Sequence, residues 1–259
     1  MRIETVQKQR IITALVAVIF LVAPGRWISA LSLEPLSQVF DTSVNGRIRT
    51  FRVTNTQNEQ IAVRIRLTTR DILPSGEEIR EPADDRWLVF PQQLTLQPGV
   101  SQAVRVQYTG PGGIETEEAF RIIAEQLPVD FTEGAPGTSG INMLFRYEGA
   151  VYVQPPRAEP NILLTESSRQ FEDGSFRGVL LRFENRGTAH GILRDLTVLL
   201  RLLNAEGDVL NELELAGDDL PVTAGTNLLA GRILEEYLEL PPTWADGTLD
   251  VEYEADIIQ

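Results

Sequence analysis

From residue 31 to the end of the chain, apolar and polar residues alternate with a period of two, the period of a strand with one buried face. The clearest examples are residues 43–55, 61–67 and 103–108. Pairs of residues typical of tight turns separate such segments, namely Asn45-Gly46, Ser75-Gly76 and Pro98-Gly99. Several short strands punctuated by turns predict an all-β chain built as an antiparallel sandwich of immunoglobulin-like type.

A proline-rich hexapeptide divides the chain near its middle. Three of the six residues at 155–160 are prolines, which lack the amide donor that a strand ladder needs. The segment falls where one sandwich of roughly 100 residues is complete. We therefore expect one β-sandwich domain at residues 31–155 and a second at residues 156–259.

Period-two patterns resume after the prolines. The predicted strands of the second half are 161–165, 178–185, 197–203, 212–215, 227–240 and 248–254. Residues 193–203 fit a helical period as well, so periodicity alone leaves this segment open. We find no internal sequence repeat between the two halves.

The first thirty residues have the layout of a secretory signal. Basic residues come first, residues 11–24 form an uncharged apolar run, and Ala30 offers a small residue at the cleavage position. The run is shorter than the roughly 20 residues that a membrane-spanning helix needs. Residues 1–30 are therefore predicted to be a cleaved signal peptide. The alternative is an uncleaved anchor, and in both cases the body of the protein is exported.

Composition excludes several kinds of active site. The chain has no cysteine, which removes disulfides, thiolate zinc sites and cysteine nucleophiles. Any histidine-based metal site or Ser-His-Asp hydrolase would depend on the single histidine, His190, which we expect to be a turn residue. The formal net charge of −14 argues against nucleic-acid binding, which needs a basic surface.

All fixed positive side-chain charges after residue 30 are arginines. Four basic residues and one acidic residue lie within residues 1–30, so the rest of the chain carries 19 basic and 36 acidic side chains. The only lysine is Lys8. Arginine is the side chain best suited to bidentate recognition of a carboxylate.

Three segments of the first half form a combined pattern. Residues 51–55 (FRVTN) predict a strand that ends in asparagine, and residues 117–128 predict an acidic-aromatic strand that ends in E-x-L-P. Residues 87–108 carry a proline, a leucine, a Pro-Gly turn and a Q-x-x-R motif as Pro91, Leu96, Pro98-Gly99, Gln102 and Arg105. Together these segments resemble the corresponding strands of the periplasmic pilus chaperones of the chaperone–usher pathway, the PapD-like family. The resemblance covers residues 31–155 well and the second half only in length and strand content.

The resemblance implies two immunoglobulin-like domains set at an angle, in an L-shaped arrangement. It also implies a periplasmic chaperone, without enzymatic activity, cofactor or metal, that holds pilus or coat-type subunits and delivers them to an outer-membrane usher. In that family the chaperone lends a strand to a subunit whose own sandwich lacks one. Backbone hydrogen bonds then give affinity, and alternate side chains fill pockets. Neither a nucleic-acid partner nor membrane insertion after signal cleavage is expected.

The lending strand needs apolar residues at alternate positions, and residues 140–147 supply them. The residues on one face of this predicted strand are Ile141, Met143, Phe145 and Tyr147. Burying each of them in a partner is worth roughly 1.5–3 kcal/mol. The alternative is an edge strand whose alternate residues fill the core of their own domain. Alternation does not decide between the two, and Leu144 on the opposite face blurs the pattern.

Most members of the family anchor the subunit's terminal carboxylate with an arginine on the first strand and a lysine on the last strand of the first domain. The corresponding positions here hold Ser37 and Ala150. Arg121 resembles the anchoring arginine of the archaic, spore-coat-U-associated branch, and Arg146 is a second candidate. Glu117 matches the family's acidic residue that ties the two domains together. The alternative for Arg121 is a surface ion pair with one of the glutamates Glu117, Glu118 and Glu125.

Two other functions are compatible with an exported double sandwich. An exported two-domain binding module without chaperone activity would carry an aromatic platform, and an acidic-site hydrolase would need a concave pair of carboxylates. Adjacent carboxylates on a strand point to opposite faces and make poor catalytic pairs. Such neighbours occur at 84–85, 117–118, 218–219 and 235–236. The chaperone hypothesis requires Ile141, Met143 and Phe145 to be exposed in the free protein.

Overall fold

The structure is a computed structural model, which describes residues 31–129 and 143–259. Within these ranges the chain forms eighteen β-strands and two single-turn 3-10 helices, and it has no α-helix. No helix of this part has the length and apolar character needed to cross a membrane. The prediction of an all-β chain is confirmed, whereas the predicted signal peptide at residues 1–30 lies outside the described residues.

The first half forms a sandwich of two sheets. Its strands are β1 (Leu31–Glu34), β2 (Ser37–Asp41), β3 (Ile48–Asn55), β4 (Ile61–Thr69), β5 (Asp71–Ile72), β6 (Glu78–Ile79), β7 (Trp87–Phe90), β8 (Gln93–Leu96), β9 (Ser101–Tyr108), β10 (Glu118–Leu127) and β11 (Arg146–Gln154). One sheet has the order β1-β3-β9-β7 and the other has the order β2-β11-β10-β4-β8. β5 and β6 pair only with each other, as a separate hairpin. The two sheets are antiparallel throughout except for the parallel pair of β2 and β11.

The alternating pattern places apolar residues from both sheets in one core. Phe51 and Val53 of β3 are fully buried, whereas Arg52 between them is exposed. Trp87 lies within this core, with its ring edge-on to Phe40 and Phe120 at centroid distances of 4.9 and 5.1 Å. Edge-to-face contacts of this kind add roughly 0.5–1.5 kcal/mol each beyond the area they bury. The alternating apolar residues that predict the strands are thus the residues whose burial stabilises the sandwich.

The chain changes sheets within its first eleven described residues. β1 pairs with β3, and β2 then pairs with β11 in the opposite sheet. β2 begins at Ser37, which lies opposite Ala150, so it covers only the second half of β11. Among the described strands, nothing pairs with the outer edge of the first half of β11.

The second half forms a further pair of sheets. Its strands are β12 (Ile162–Glu172), β13 (Ser175–Asn185), β14 (Gly191–Leu203), β15 (Val209–Ala216), β16 (Asn227–Leu228), β17 (Ile233–Glu239) and β18 (Thr248–Ile258), and its 3-10 helices are Gly217–Asp219 and Pro242–Trp244. One sheet has the order β12-β13-β17, and the other has the order β15-β14-β16 with β18 also paired to β14. The proline-rich segment lies between β11 and β12 and joins the two sandwiches.

The helical alternative for residues 193–203 is wrong. They belong to β14, which pairs with β15 and with β18. Val198, Leu200 and Leu202 are fully buried, and the residues between them are only half buried. Partners on the flanking strands decide the conformation, because a run of leucines satisfies either period.

One buried asparagine makes the same set of hydrogen bonds in each of the two sandwiches. Asn55 ends β3, Asn185 ends β13, and both residues are fully buried. Each Nδ2 donates to two backbone carbonyls, one four residues ahead and one on a strand of the opposite sheet, at 2.8 and 3.0 Å. Each Oδ1 accepts the N–H two residues ahead. Both loops that follow these strands therefore depend on one amide side chain.

Replacing Asn185 with alanine is expected to lower the free energy of unfolding by about 2–3 kcal/mol, because it leaves buried backbone carbonyl and N–H groups without a hydrogen-bond partner. Urea unfolding followed by tryptophan fluorescence measures the change. Asn211→Ala is the matched control, because its single side-chain bond to the carbonyl of Thr243 is exposed, and it should cost less than 1 kcal/mol. Equal losses in the two variants would contradict the role assigned to Asn185.

Candidate functional site

The free edge of β11 is the first part of the candidate site. Gln126 of β10 donates its N–H to the carbonyl of Phe145 at 2.9 Å, and Ala150 donates to the carbonyl of Leu36 at 2.7 Å. Because backbone groups alternate in direction along a strand, the N–H and C=O groups of Arg146 and Glu148 point away from β10. These groups lie before the stretch that β2 covers, so they have no strand partner within residues 31–129 and 143–259.

The apolar residues predicted for strand donation lie beside this edge, and their environments differ. Met143 is 63% exposed. Phe145, which the chaperone hypothesis requires to be exposed, is instead half buried, and both Phe145 and Tyr147 pack against the core of their own sandwich. Ile141 lies outside the described residues. The face that carries these residues therefore packs on the core of the first sandwich at Phe145 and Tyr147 and is exposed to solvent at Met143.

Leu144 lies on the other face of this segment and is 48% exposed. Both faces of the segment before β11 thus present apolar surface at adjacent positions, Met143 and Leu144. This apolar pair lies next to a strand edge that no described strand pairs with, and such an edge is a typical template for another strand.

The predicted anchor positions lie on one line across three strands. Ala150 of β11 is opposite Ser37 of β2 on one side and opposite Arg121 of β10 on the other. Neighbouring strands are separated by roughly 5 Å, which puts the backbone of Arg121 about 10 Å from that of Ser37. The register therefore brings Arg121 to the same level of the sheet as the two positions that the family fills with cations.

The guanidinium of Arg121 is paired with Glu78 of β6, and the alternative partners Glu117, Glu118 and Glu125 bind other groups. The Nε of Arg121 donates to Oε1 of Glu78 at 2.9 Å, and Nη2 donates to Oε2 at 2.6 Å. This is the two-bond fork by which arginine holds a carboxylate. The arginine side chain is 21% exposed, so the pair lies at the surface of the sheet with restricted access to water.

Glu78 is the centre of a larger charge cluster, defined here as Arg70, Glu78, Arg80, Arg121, Arg146 and Glu148. Arg70 and Arg80 also donate to Glu78, at 2.8 and 2.6 Å. Arg80 continues to Glu148 at 2.7 Å, and Glu148 accepts from Arg146 at 2.7 Å. Four arginines and two glutamates leave the cluster with two excess positive charges, in a chain that is strongly acidic overall.

The second anchor candidate, Arg146, lies at the far end of this cluster. Its side chain is 44% exposed, and it starts four residues before Ala150. Four strand residues span about 13 Å, so Arg146 and Arg121 do not converge on one point. Arg121 is the candidate that lies level with the start of β2.

The cluster controls the ionisation of Glu78. Burial would raise the pKa of Glu78, but hydrogen bonds from Arg121 and Arg70 and the charges of both arginines outweigh it and hold the pKa at about 2, against an ordinary value of 4.5. The ionised carboxylate therefore stabilises the fold fully above pH 4.5, and this contribution is lost as the pH falls toward 2.

The acid dependence of stability should reveal this contribution. Between pH 6 and pH 3, the wild type is expected to lose at least roughly 1 kcal/mol more stability than Glu78→Gln, because the amide does not titrate and solvent partly screens the cluster. Urea unfolding at the two pH values gives the difference. Glu77→Gln removes an exposed carboxylate from the same hairpin and should behave as the wild type does. The same acid dependence in Glu78→Gln and the wild type would contradict the assigned ionisation.

A buried carboxyl group, that of Glu117, lies just before β10. Its carboxylate accepts the backbone N–H of His190 at 3.1 Å and the Nε2 of Gln154 at 2.7 Å. Both of its oxygens lie 2.9 Å from Nδ1 of His190. Glu117 comes from the first half of the chain and His190 from the second, so this contact joins the two sandwiches.

His190 and Tyr152 extend this contact between the two sandwiches. The sequence alone predicts no such role for either residue. His190 lies just before β14, outside the strands, as predicted for a turn residue, but it is buried. Its ring stacks on the ring of Tyr152, with 3.8 Å between the ring centroids. The hydroxyl of Tyr152 accepts from Arg70 at 2.9 Å and from Asn227 at 2.7 Å. Tyr152 therefore links the charge cluster, the histidine and the second sandwich.

Comparisons with known proteins find the fold in solved structures only. No protein-family model and no curated protein sequence matches the chain. The chain is similar to a chain of the CsuC–CsuE chaperone–tip adhesion subunit complex from archaic chaperone-usher Csu pili of Acinetobacter baumannii, with a TM-score of 0.54 and 12% identity over 86% of this chain and 98% of that chain. It is also similar to the class 5 fimbriae chaperone CfaA, with a TM-score of 0.52 and 16% identity over 88% and 100% of the two chains. The E. coli chaperone DraB gives a TM-score of 0.51 and 16% identity over 82% and 87%.

These likenesses extend over both halves of the chain, and their low identities carry information on the fold alone. The two sandwiches and the predicted immunoglobulin-like class are confirmed. The protein therefore has the all-β, double-sandwich fold of these fimbrial chaperones.

Proposed function

We propose that this protein is a periplasmic chaperone that binds an incomplete pilus or coat-type subunit by lending it the strand that leads into β11. The observation that carries the proposal is the free edge of β11 beside exposed Met143, at the level of an arginine cluster. Unpaired backbone groups supply hydrogen bonds to an added strand, and the apolar side chains supply burial. The solved CsuC–CsuE complex pairs a chaperone of this fold with a tip subunit, which supports a client of that class.

The direction of the added strand follows from the position of Arg121. β2 runs parallel to β11 and begins opposite Ala150. A client strand that fills the free edge in the same direction ends just before β2, so its terminal carboxylate lies beside Ala150. Because Ala150 has only a methyl group, the guanidinium of Arg121 can reach across β11 to that carboxylate. A client strand in the opposite direction would place its carboxylate at the other end of the edge.

The substitutions at Ser37 and Ala150 support a place in the archaic branch. Neither side chain carries the positive charge that most of the family uses there. Arg121 lies in register with both, so one arginine from β10 can replace two cations from the flanking strands. We accordingly propose that Arg121 is the principal anchor of the client's terminal carboxylate. Arg146 lies at the other end of the free edge, away from that carboxylate.

The remaining parts of the proposal follow the same reasoning. After signal cleavage the protein acts in the periplasm, carries out no covalent chemistry, and hands its client to an outer-membrane usher. Strand donation needs neither a cofactor nor a nucleotide, because binding energy comes from backbone pairing and side-chain burial.

Co-expression with the candidate subunit encoded nearest to this gene tests the proposal. Met143→Asp places a charge on the donor face, and we expect it to reduce the recovered periplasmic complex at least tenfold. A Met143→Asp, Phe145→Asp double variant should abolish the complex, but Phe145 also packs on its own core, so the single variant is the cleaner test. Leu88→Asp, at a 57% exposed position on β7, is the matched control and should leave recovery unchanged.

A subunit that accumulates equally well without the chaperone, or with folded Met143→Asp, would overturn the proposal. The exported binding module would then be the remaining interpretation of the fold.

A further inference from the structure

The Nε and Nη2 side of the Arg121 guanidinium is already bound by a carboxylate in the free protein. Glu78 takes both donors of the fork, at 2.9 and 2.6 Å, in the geometry that a terminal carboxylate would adopt. An incoming carboxylate therefore has to displace Glu78 before it can form the same two bonds.

Glu78 comes from an element that can move without breaking a sheet. β5 and β6 have two residues each and pair only with each other, through Asp71 with Ile79 and Ile72 with Glu78. The five-stranded sheet beneath is held by its own ladders. Displacing the end of this hairpin costs few hydrogen bonds compared with displacing any strand of the sandwich.

The cluster can keep Glu78 neutralised after such a displacement. Arg70 and Arg80 both donate to Glu78 independently of Arg121. If Arg121 turns to another carboxylate, Glu78 retains two cationic partners, and no buried charge is left unpaired. The two excess positive charges of the cluster leave room for one further carboxylate.

The hairpin also reaches the second sandwich. Asp71 forms an ion pair with Arg232, with Nη2 of the arginine 2.9 Å from Oδ2. The carbonyl of Pro74 accepts the N–H of Glu235 in β17 at 2.7 Å. A shift of Glu78 therefore changes an element that both domains hold.

We propose that Glu78 is an internal substitute for the client's terminal carboxylate, so that client binding exchanges one carboxylate for another at Arg121 and loosens the hairpin 71–79. This inference rests on the proposed function, since it concerns the same anchor. Competition of this kind reduces the apparent affinity for every client in proportion to the fraction of molecules in which the fork of Arg121 is free of Glu78. It also favours ligands that bring a carboxylate together with a pairing strand over ligands that bring either one alone.

Two synthetic peptides test the exchange. Both have ten residues with valine at alternate positions, and one ends in a free carboxylate while the other ends in an amide. We expect the wild type to bind the carboxylate peptide more tightly than the amide. Glu78→Gln should raise affinity for the carboxylate peptide about tenfold and leave affinity for the amide within about twofold. Glu77→Gln removes an exposed carboxylate from the same hairpin, one residue before Glu78, and it should change either affinity less than threefold.

Hydrogen–deuterium exchange gives a second readout. Amides of residues 71–79 in the wild type should exchange faster when the carboxylate peptide is bound, and the amide peptide should leave them unchanged. Equal affinity gains in Glu78→Gln and Glu77→Gln, or no change in deuterium uptake by the hairpin with the carboxylate peptide bound, would overturn the replacement of Glu78 by the client's carboxylate while leaving the anchor intact. If the wild type and Glu78→Gln both bind the two peptides equally, the anchor itself is wrong and the exchange fails with it.

Discussion

Replacing Arg121 with alanine is expected to lower the affinity for a client subunit about 100-fold, whereas Ser37→Ala should change it less than twofold. The large effect follows because the alanine removes a bidentate, partly desolvated contact to the client's carboxylate. Ser37 lies at the same level of the sheet but carries no charge that could take part. Titration of purified client complexes, or their yield on co-expression, measures the difference.

Two further variants make the Arg121 result specific. Arg121→Lys keeps the charge but loses the planar fork, so it should retain only part of the affinity. A client whose C-terminus is extended by a few residues should bind the wild type as weakly as the natural client binds Arg121→Ala. Equal binding by Arg121→Ala and Ser37→Ala would remove Arg121 as the anchor and with it the archaic assignment.

Replacing Glu117 with leucine is expected to lower the free energy of unfolding by about 3 kcal/mol or more. The buried carboxylate accepts from the backbone N–H of buried His190, contacts its ring, and accepts from the amide of half-buried Gln154. Leucine leaves these polar groups without a partner between the two sandwiches. Urea unfolding measures the loss, and two core tryptophans report on it, Trp87 in the first sandwich and Trp244 in the second.

The matched control is Glu115→Leu, two residues earlier at an exposed position, which should change stability by less than 0.5 kcal/mol. Glu117→Gln keeps an acceptor for His190 and should cost roughly half as much as the leucine. If Glu117→Leu unfolds at the same urea concentration as Glu115→Leu, the contact does not stabilise the joint.

The sandwiches were predictable because each strand carries its own signal. Phe51, Arg52 and Val53 alternate in burial as they alternate in polarity. The leucine-rich segment of β14 was ambiguous because its pattern satisfies two periods, and only its neighbours β15 and β18 select the strand.

A further signal was present and missed. Residues 51–55 (FRVTN) and 181–185 (LRFEN) share an apolar residue, arginine, a second apolar residue, one polar residue and asparagine. Because Asn55 and Asn185 make equivalent hydrogen bonds, this short pattern marks the same strand end in both sandwiches. It links the second half to the first more directly than length and strand content do.

The contacts of the site were less accessible to prediction than its residues. Arg121 could be selected on its type and strand, but its partner Glu78 lies 43 residues earlier in a short hairpin outside the sheets. Similarly, Glu117 meets His190 only because the two sandwiches pack together. Local patterns encode strands and turns, whereas such pairs depend on the tertiary arrangement of elements distant in sequence.

The most direct test of strand donation is hydrogen–deuterium exchange at the free edge of β11, compared between the free protein and its complex with a client subunit. The amides of Arg146 and Glu148 point away from β10 and have no strand partner among the described residues, so they should exchange rapidly in the free protein. Strand donation predicts strong protection of both amides in the complex, with little change at Tyr147, whose backbone already faces β10. A stable complex in which Arg146 and Glu148 exchange as fast as in the free protein would contradict strand donation at this edge.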